Sequence, residues 1–186
     1  MVVNFKDKPV GIFGGSFDPP HNGHLKIVKQ SLKKFKFEKI YWVVTKKNPL
    51  KKKAFFSIDE RIKKSLKIVG KSSKIHVVYL DKIIKSSKTY KVIKYLLKRE
   101  KTKLIYLIIG SDNLITFHKW DNWKKILKLS KVLVFLRRGY DKKAKKMVLT
   151  RYNNNKNIIF IKSKKIDISS SSIRKKIFKI NGSKKN

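Results

Sequence analysis

The stretch Gly14-Gly15-Ser16-Phe17-Asp18-Pro19-Pro20-His21-Asn22-Gly23-His24 decides the fold, because it joins a predicted strand to a predicted helix. The apolar run Val10–Phe13 precedes the stretch, and apolar side chains at helical spacing follow it over residues 25–35. The N-terminus of a helix offers unpaired backbone N–H groups and a partial positive charge to an anion. Glycines in front of such a helix let the backbone come close to a ligand. The stretch therefore predicts a phosphate-binding turn.

Further apolar runs alternate with helical patterns along the rest of the chain. Continuous apolar strands are typical of a parallel sheet covered on both faces, and alternation of strands with helices implies right-handed crossovers. We therefore expect one α/β domain over residues 1–186, with a doubly wound, mostly parallel sheet flanked by helices and a frayed tail from about residue 181. Ligands of such sheets bind at the carboxyl ends of the strands, near the switch in strand order.

The element bounds follow from the same patterns. A capping box, Ser57-Ile58-Asp59-Glu60, predicts the start of a helix that carries Ile62, Leu66 and Val69 on one side. One further predicted helix follows the opening stretch, and another begins in the serine run 169–172. The remaining predicted helices are Thr89–Arg99, Trp123–Leu129 and Asp141–Leu149. The predicted strands are Val10–Phe13, Lys39–Val44, Lys74–Leu80, Lys103–Ile109, Lys131–Leu136 and Asn157–Ile161.

The composition excludes several classes of protein. The 186 residues contain no cysteine, which rules out a disulfide framework, a thiolate metal site and a cysteine nucleophile. No apolar run approaches the roughly 20 residues that a membrane span needs, and residues 1–7 lack a signal-peptide pattern. We therefore expect a cytoplasmic protein that does not bind a membrane.

The charge is strongly positive, with 50 basic against 11 acidic residues and a net charge of +39. Such a field attracts anions, including nucleic acid. Only six of the basic residues are arginine, the residue favoured for reading bases, and the lysines are spread along the whole chain. This distribution favours solvated helix faces and predicts no specific nucleic-acid partner. A basic nucleic-acid-binding module built on a nucleotide fold stays open as the alternative from another class.

Two histidines, His21 and His24, stand at the start of the first predicted helix. Zinc is disfavoured, because no third ligand is nearby and the spacing is not that of the His-Glu-x-x-His motif. Imidazoles at a helix start can instead donate hydrogen bonds to phosphate oxygens. Gly70-Lys71-Ser72 looks like the end of a P-loop, but the pattern requires glycine where Ser65 stands.

Two later groups of polar residues complete the candidate site. Serine hydroxyls and N–H groups over residues 169–172, with Arg174 one turn later, predict a second anion-binding helix start. Gly110 and Asp112 follow the most apolar strand, where an aspartate can accept a hydrogen bond from a ribose hydroxyl. Trp120 and Trp123 come next, and their indole rings either stack on a flat ligand or pack between helices.

These stretches together resemble the nucleotidyltransferase superfamily marked by His-x-Gly-His and a late Ser-Ser-x-x-x-Arg. Within it they look most like bacterial nicotinate-nucleotide adenylyltransferase, with Ser16 and Ser171 where threonine is commoner. Residues 110–112 followed by Trp120 match that family's mononucleotide-binding segment. Asn48-Pro49-Leu50-Lys51 resembles its Pro-Pro-His-Lys loop without the histidine. In place of the family's Tyr-Thr-x-Asp-Thr, the sequence keeps only the first threonine, Thr89.

The resemblance implies a Rossmann-like nucleotidyltransferase fold and a reaction of NAD biosynthesis. ATP and nicotinate mononucleotide would give deamido-NAD and pyrophosphate by direct in-line attack, with Mg²⁺ bound to ATP and no metal held by the protein alone. The implied catalytic residues are His21, His24 and Arg174. The implied ATP- and phosphate-binding residues are Gly14, Gly15, Ser16, Phe17, His21, His24, Lys51, Ser169, Ser170, Ser171 and Arg174. The implied mononucleotide-binding residues are Thr89, Gly110, Asp112 and Trp120.

Several alternatives stay open. Pantetheine-phosphate adenylyltransferase, a sibling, shares His-x-Gly-His and a serine-rich closing motif, although it usually has threonine where His21 stands and lacks the segment from Gly110 to Trp120. The preference between nicotinate and nicotinamide mononucleotide is undecided, because a carboxylate and an amide differ by only a few contacts. A homo-oligomer is also left open.

Overall fold

The structure, a computed structural model, describes residues 8–46, 54–137, 139–152, 155–162 and 169–182. The strands of these ranges are β1 (Val10–Gly15), β2 (Lys39–Val44), β3 (Ile75–Val78), β4 (Ile105–Gly110), β5 (Lys131–Phe135) and β6 (Ile158–Ile161). The α-helices are α1 (Asn22–Phe35), α2 (Ile58–Val69), α3 (Thr89–Arg99), α4 (Ser111–Thr116), α5 (Trp123–Leu129), α6 (Asp141–Thr150) and α7 (Ser170–Gly182). A 3₁₀ turn, Phe117–Lys119, follows α4.

The six described strands form one sheet in the order β3-β2-β1-β4-β5-β6. Each neighbouring pair is parallel. The chain winds outward from β1 to β3, crosses back, and continues from β4 to β6, so that β1 and β4 lie side by side where the strand order reverses. This is the doubly wound order of a Rossmann-like fold, and the predicted fold class is confirmed.

Apolar side chains are buried on both faces of the sheet, because successive residues of a strand point to opposite sides. On one face, Ile12 and Leu107 pack with α3 residues such as Leu96. On the other, Phe13 and Trp42 pack against Val28 of α1. The sheet therefore separates two apolar layers, and its carboxyl edge is the place where polar side chains collect.

Most predicted elements agree with the structure to within one or two residues. The strand Lys39–Val44 and the helices Thr89–Arg99 and Trp123–Leu129 agree residue for residue. Helix α4 was not predicted, because six residues that begin with Ser111-Asp112-Asn113 have no clear helical period. The predicted frayed tail beyond residue 182 lies outside the described residues.

Helix α2 packs part of its predicted apolar side against the core. Ser57 caps the helix as predicted, accepting from the Glu60 N–H while Glu60 accepts from the Ser57 N–H. Ile62 and Val69 pack against the core as predicted, but Leu66 is 53% exposed. The fully buried residues of the helix are Arg61 and Ser65, so a charged side chain faces inward beside the apolar ones.

Candidate functional site

A cavity of about 1210 Å³ opens at the carboxyl ends of the strands, beside the switch in strand order between β1 and β4. Apart from Arg174 and Lys51, every predicted site residue lines it: Gly14, Gly15, Ser16, Phe17, His21, His24, Thr89, Gly110, Asp112, Trp120, Ser169, Ser170 and Ser171. Lys51, with its loop 48–51, lies outside the described residues. The fold therefore gathers residues from three distant parts of the sequence around one concave surface.

The turn between β1 and α1 forms one wall of this cavity. Phe17 adopts a left-handed conformation with φ 45°, and its ring packs on Phe13 and Trp42 at centroid distances of 5.3 and 4.6 Å. A Cβ at Gly14 would meet no atom within 4 Å, so the space beside its Cα belongs to the cavity. A ligand can approach the backbone of the turn at that point.

His21 and His24 lie in contact at the start of α1. Their rings stack with centroids 3.7 Å apart, and the His24 ring also meets the edge of Phe17 at 5.1 Å. The His21 backbone N–H donates to His24 Nδ1 at 3.2 Å. Because Nδ1 accepts, a neutral His24 carries its ring proton on Nε2 and can act as a donor there.

His21 is held in its neutral form. Burial, followed by the positive charge of Arg137, lowers its pKa from 6.5 to about 4. His21 is 9% exposed. At neutral pH its ring in this structure is therefore a neutral hydrogen-bonding group.

The depressed pKa of His21 predicts a pH dependence of stability. Protonation is harder in the folded chain than in the unfolded chain, whose histidine has a pKa of 6.5. The contribution of His21 is therefore fully present above about pH 6.5 and is lost as the pH falls from there towards about 4. We expect the difference in unfolding free energy between the wild type and His21→Asn to shrink over this window. A difference that stays constant from neutral pH down to about pH 5 would contradict it.

The closing motif contacts the opening turn directly. The Ser170 hydroxyl donates to the Pro19 carbonyl at 2.9 Å, although 151 residues separate the two. Arg174 donates from Nη1 to the Asp18 carbonyl and from Nη2 to the Ser171 hydroxyl at 3.1 Å. The start of α7 and the start of α1 therefore form adjacent parts of one wall, with Arg174 bracing them.

The second half of the cavity is built at the end of β4. A Cβ at Gly110 would lie 2.4 Å from Asp112 Oδ1, so the position excludes any larger residue while this carboxylate is in place. Asp112 Oδ2 pairs with Arg137 Nη1 at 3.0 Å. Trp120 lines the cavity and packs on Phe117 at 5.2 Å. Trp123 instead packs on Tyr152 at 5.5 Å, in agreement with its helix-packing interpretation.

Arg61 is a site-supporting residue that the sequence did not reveal. It is 2% exposed, and Nη1 donates to the carbonyls of Ser16 at 2.7 Å and Thr45 at 2.8 Å. Its other nitrogens donate to the carbonyls of Lys46, Phe56 and Ser57 at 3.0, 3.1 and 3.3 Å. The guanidinium therefore ties the β1–α1 turn to the end of β2 and the start of α2.

Asp18 secures the same region from the opposite side. Its carboxylate oxygens accept from the backbone N–H groups of Phe55 and Phe56 at 2.8 and 2.9 Å. Burial lowers the pKa of the Arg61 guanidinium, and the negative charge of Asp18 opposes this shift. A signal for Arg61 was present in the sequence: it lies three residues after Ile58, on the side of α2 that faces the core.

Within the described ranges, no three histidine, aspartate or glutamate side chains are grouped as metal ligands. In the same ranges, no helix combines the length and apolar character that crossing a membrane requires.

Comparison with known proteins places the whole architecture among nucleotide-handling proteins. A family model described as cytidylyltransferase-like matches residues 12–176. The chain is 44% identical to the "Probable nicotinate-nucleotide adenylyltransferase" of Pelagibacter ubique (strain HTCC1062), over 93% of this chain and 96% of that protein. It is 34% identical to the protein of the same description from Aquifex aeolicus (strain VF5), over 86% and 97% of the two chains.

A solved structure is also similar in fold. The Plasmodium falciparum nicotinic acid mononucleotide adenylyltransferase complexed with NaAD superimposes with a TM-score of 0.72 and 23% identity, covering 90% of this chain and 83% of that chain. The comparison supports the doubly wound architecture described above.

Proposed function

The chain belongs to the nicotinate-nucleotide adenylyltransferase family, within the cytidylyltransferase-like group, and we infer from this that it is an adenylyltransferase of NAD biosynthesis. It joins ATP and nicotinate mononucleotide into deamido-NAD and releases pyrophosphate. The observation that carries this conclusion is the single cavity in which the β1–α1 turn, the start of α7 and the end of β4 meet. Two nucleotides that must react with each other need one such shared space.

The reaction needs positioning more than a protein nucleophile. A phosphate oxygen of the mononucleotide forms a bond to the α-phosphorus of ATP, while the bond from that phosphorus to the bridging oxygen breaks and its electron pair leaves with pyrophosphate. No covalent intermediate with the protein is required. Catalysis then comes from alignment and from donors that meet the growing negative charge.

We assign the ATP side of the cavity to the turn and α7. His21 and His24 would hold the transferring α-phosphate, while Ser16 and the backbone of the turn support it. Ser170 and Ser171 at the start of α7, together with Ser169, would hold the outgoing pyrophosphate. Arg174 joins them through its bond to Ser171, and Lys51 is proposed as a further pyrophosphate contact.

The opposite half would bind the mononucleotide. Asp112 can accept hydrogen bonds from its ribose, and the indole of Trp120 offers a flat surface to the pyridine ring. Thr89, the first residue of α3, also lines this half of the cavity. Each of these three residues lies within reach of the same concave surface.

Enzymes of this family typically use a metal ion with ATP. We propose Mg²⁺, which keeps much of its shell from water and substrate phosphates and needs few protein ligands. The described residues fit this arrangement, since Asp18 is engaged with backbone N–H groups and Asp112 with Arg137. Mg²⁺ on the phosphates would offset their negative charge, and the protein would orient the phosphates around it.

We propose that residues 1–186 form one nucleotidyltransferase domain that works in the cytoplasm without a membrane or a specific nucleic-acid partner. The net charge of +39, carried mostly by lysines spread along the chain, would attract anionic substrates in general.

One assay tests the function and its alternatives together. Pyrophosphate release from ATP is measured with nicotinate mononucleotide, nicotinamide mononucleotide, phosphopantetheine or no acceptor. We expect the highest kcat/KM with nicotinate mononucleotide and a dinucleotide product of matching mass. Activity only with phosphopantetheine would establish the sibling reaction instead. No release with any acceptor, together with tight and salt-sensitive binding of duplex DNA or RNA, would support the nucleic-acid module.

A further inference from the structure

Arg137 lies at the carboxyl end of β5, on the cavity wall, and none of the sequence motifs includes it. It follows the strand by two residues, beside the end of β4, where Gly110 and Phe135 are register partners. The side chain is 40% exposed. The guanidinium is therefore accessible from the cavity.

The backbone of Arg137 is fixed by contacts that do not involve its side chain. Its N–H donates to Ser111 Oγ at 2.9 Å and to Asp141 Oδ1 at 2.7 Å. Its carbonyl accepts from the Tyr140 N–H at 3.0 Å, which closes a turn through Gly139 at φ 85°. A substitution at position 137 should therefore change the side chain and leave the loop in place.

The guanidinium lies between the two halves of the proposed site. On one side, Nη1 pairs with Asp112 Oδ2 at 3.0 Å. On the other, Arg137 lines the same cavity as His21. Asp112 belongs to the mononucleotide half and His21 to the ATP half, so Arg137 is located where the two reacting phosphates meet.

The chemistry at that point calls for a cation. A phosphate monoester carries nearly two negative charges at neutral pH, and it has to approach the negative α-phosphate of ATP. A planar guanidinium can donate two parallel hydrogen bonds to phosphate oxygens and remains charged throughout.

We propose that Arg137 is a catalytic residue whose guanidinium binds the attacking phosphate of the mononucleotide while staying anchored to Asp112. The assignment rests on the proposed adenylyl transfer. Arg137 donates hydrogen bonds to the phosphate and transfers no proton. The new bond forms between a mononucleotide oxygen and the α-phosphorus, and the leaving electron pair departs with pyrophosphate.

The test is a steady-state comparison of Arg137→Gln and Arg137→Lys with Arg151→Gln. Arg151 is an exposed arginine at the end of α6, so its substitution removes the same charge away from the cavity. For Arg137→Gln we expect kcat/KM for nicotinate mononucleotide to fall about 10- to 100-fold, as for loss of a charged hydrogen bond. KM for ATP should change by less than about threefold, Arg137→Lys should retain part of the activity, and Arg151→Gln should resemble the wild type.

A double-mutant cycle with Asp112→Asn separates contact with substrate from an effect through Asp112. If Arg137 touches the phosphate, Arg137→Gln still lowers kcat/KM in the Asp112→Asn background, by a factor that is smaller because the anchor at position 112 is weakened. An effect that disappears entirely in the Asp112→Asn background would overturn the proposal, as would an Arg137→Gln enzyme within about threefold of the wild type. An inactive wild type would overturn the proposed function and this assignment with it, whereas an active wild type with an unaffected variant overturns the assignment alone.

Discussion

His24→Ala is expected to lower kcat by about 10²-fold or more while leaving the chain folded, which is the scale of losing one donor to a transition-state oxygen. Because the His21 N–H donates to His24 Nδ1, the His24 ring has its donor N–H at Nε2. A donor placed beside the transferring phosphate gains strength as negative charge develops there. The measurement is pyrophosphate release at saturating ATP and nicotinate mononucleotide, with circular dichroism to verify folding.

His24→Ala also removes the acceptor for the His21 N–H. Two further variants therefore separate the loss of this hydrogen bond from the loss of the Nε2 donor. His24→Asn places an amide oxygen near the position of Nδ1 and can preserve the hydrogen bond at the start of α1, but it has no group at the position of Nε2. His24→Gln reaches towards the position of Nε2. We expect His24→Asn to be as inactive as alanine although more stable, and His24→Gln to retain more activity. His76→Asn, on strand β3 away from the cavity, is the control. Near-normal turnover of His24→Ala would refute the assignment.

Arg61→Met should lower the free energy of unfolding by about 3 kcal/mol, because each buried acceptor left without a donor costs about 1–3 kcal/mol. The carbonyls of Ser16, Thr45 and Lys46 would lose their guanidinium partner, and only some of them can turn to water. For a chain of this size the loss corresponds to a midpoint lowered by about 10 °C. Activity should fall too, measured well below the midpoint, since the turn that presents Gly14 is no longer held.

Two matched variants make the Arg61 result interpretable. Ser65→Ala changes the next buried position of the same helix, where the Ser65 Oγ has no hydrogen-bond partner among the described residues. Its removal should cost almost nothing. Leu96→Ala destabilises the opposite face of the sheet by about 2–5 kcal/mol without touching the turn. If Arg61→Met proves as stable as the wild type, the hydrogen bonds of Arg61 do not stabilise the fold. If Leu96→Ala, measured per folded molecule, loses as much kcat as Arg61→Met, the loss of activity in Arg61→Met reflects general destabilisation and not a specific effect on the turn.

Much of this architecture follows from local sequence. The strand Lys39–Val44 and the helix Thr89–Arg99 are predicted from periodicity because each is long, strongly patterned and bounded by polar residues. The parallel, doubly wound sheet follows from the alternation of strands with helices, whereas the order β3-β2-β1-β4-β5-β6 does not, because such sheets occur in more than one order. The cavity follows in turn, since parallel strands end at one edge and the polar residues after β1 and β4 must meet there.

The supporting residues could not be predicted in the same way. Arg61 binds a carbonyl 45 residues earlier, and Arg137 binds a carboxylate 25 residues earlier. Neither partner is set by a local period, so the spacing of the sequence does not connect either arginine with its partner. Leu66 belongs to the apolar pattern of α2 and is nevertheless exposed, whereas Arg61 is buried. The apolar pattern alone does not predict that a guanidinium lies on the inward side of this helix.

The bonds from Ser170 to Pro19 and from Arg174 to Asp18 also have a consequence for synthesis of the protein. During translation the opening turn emerges well before the start of α7, and chains fold progressively from the N-terminus. Strands β1 to β5 can pair while the ribosome is still adding residues, but the wall formed by the β1–α1 turn and α7 stays incomplete until α7 docks. A nascent chain can therefore have most of its sheet and still lack the contacts that join α7 to the opening turn.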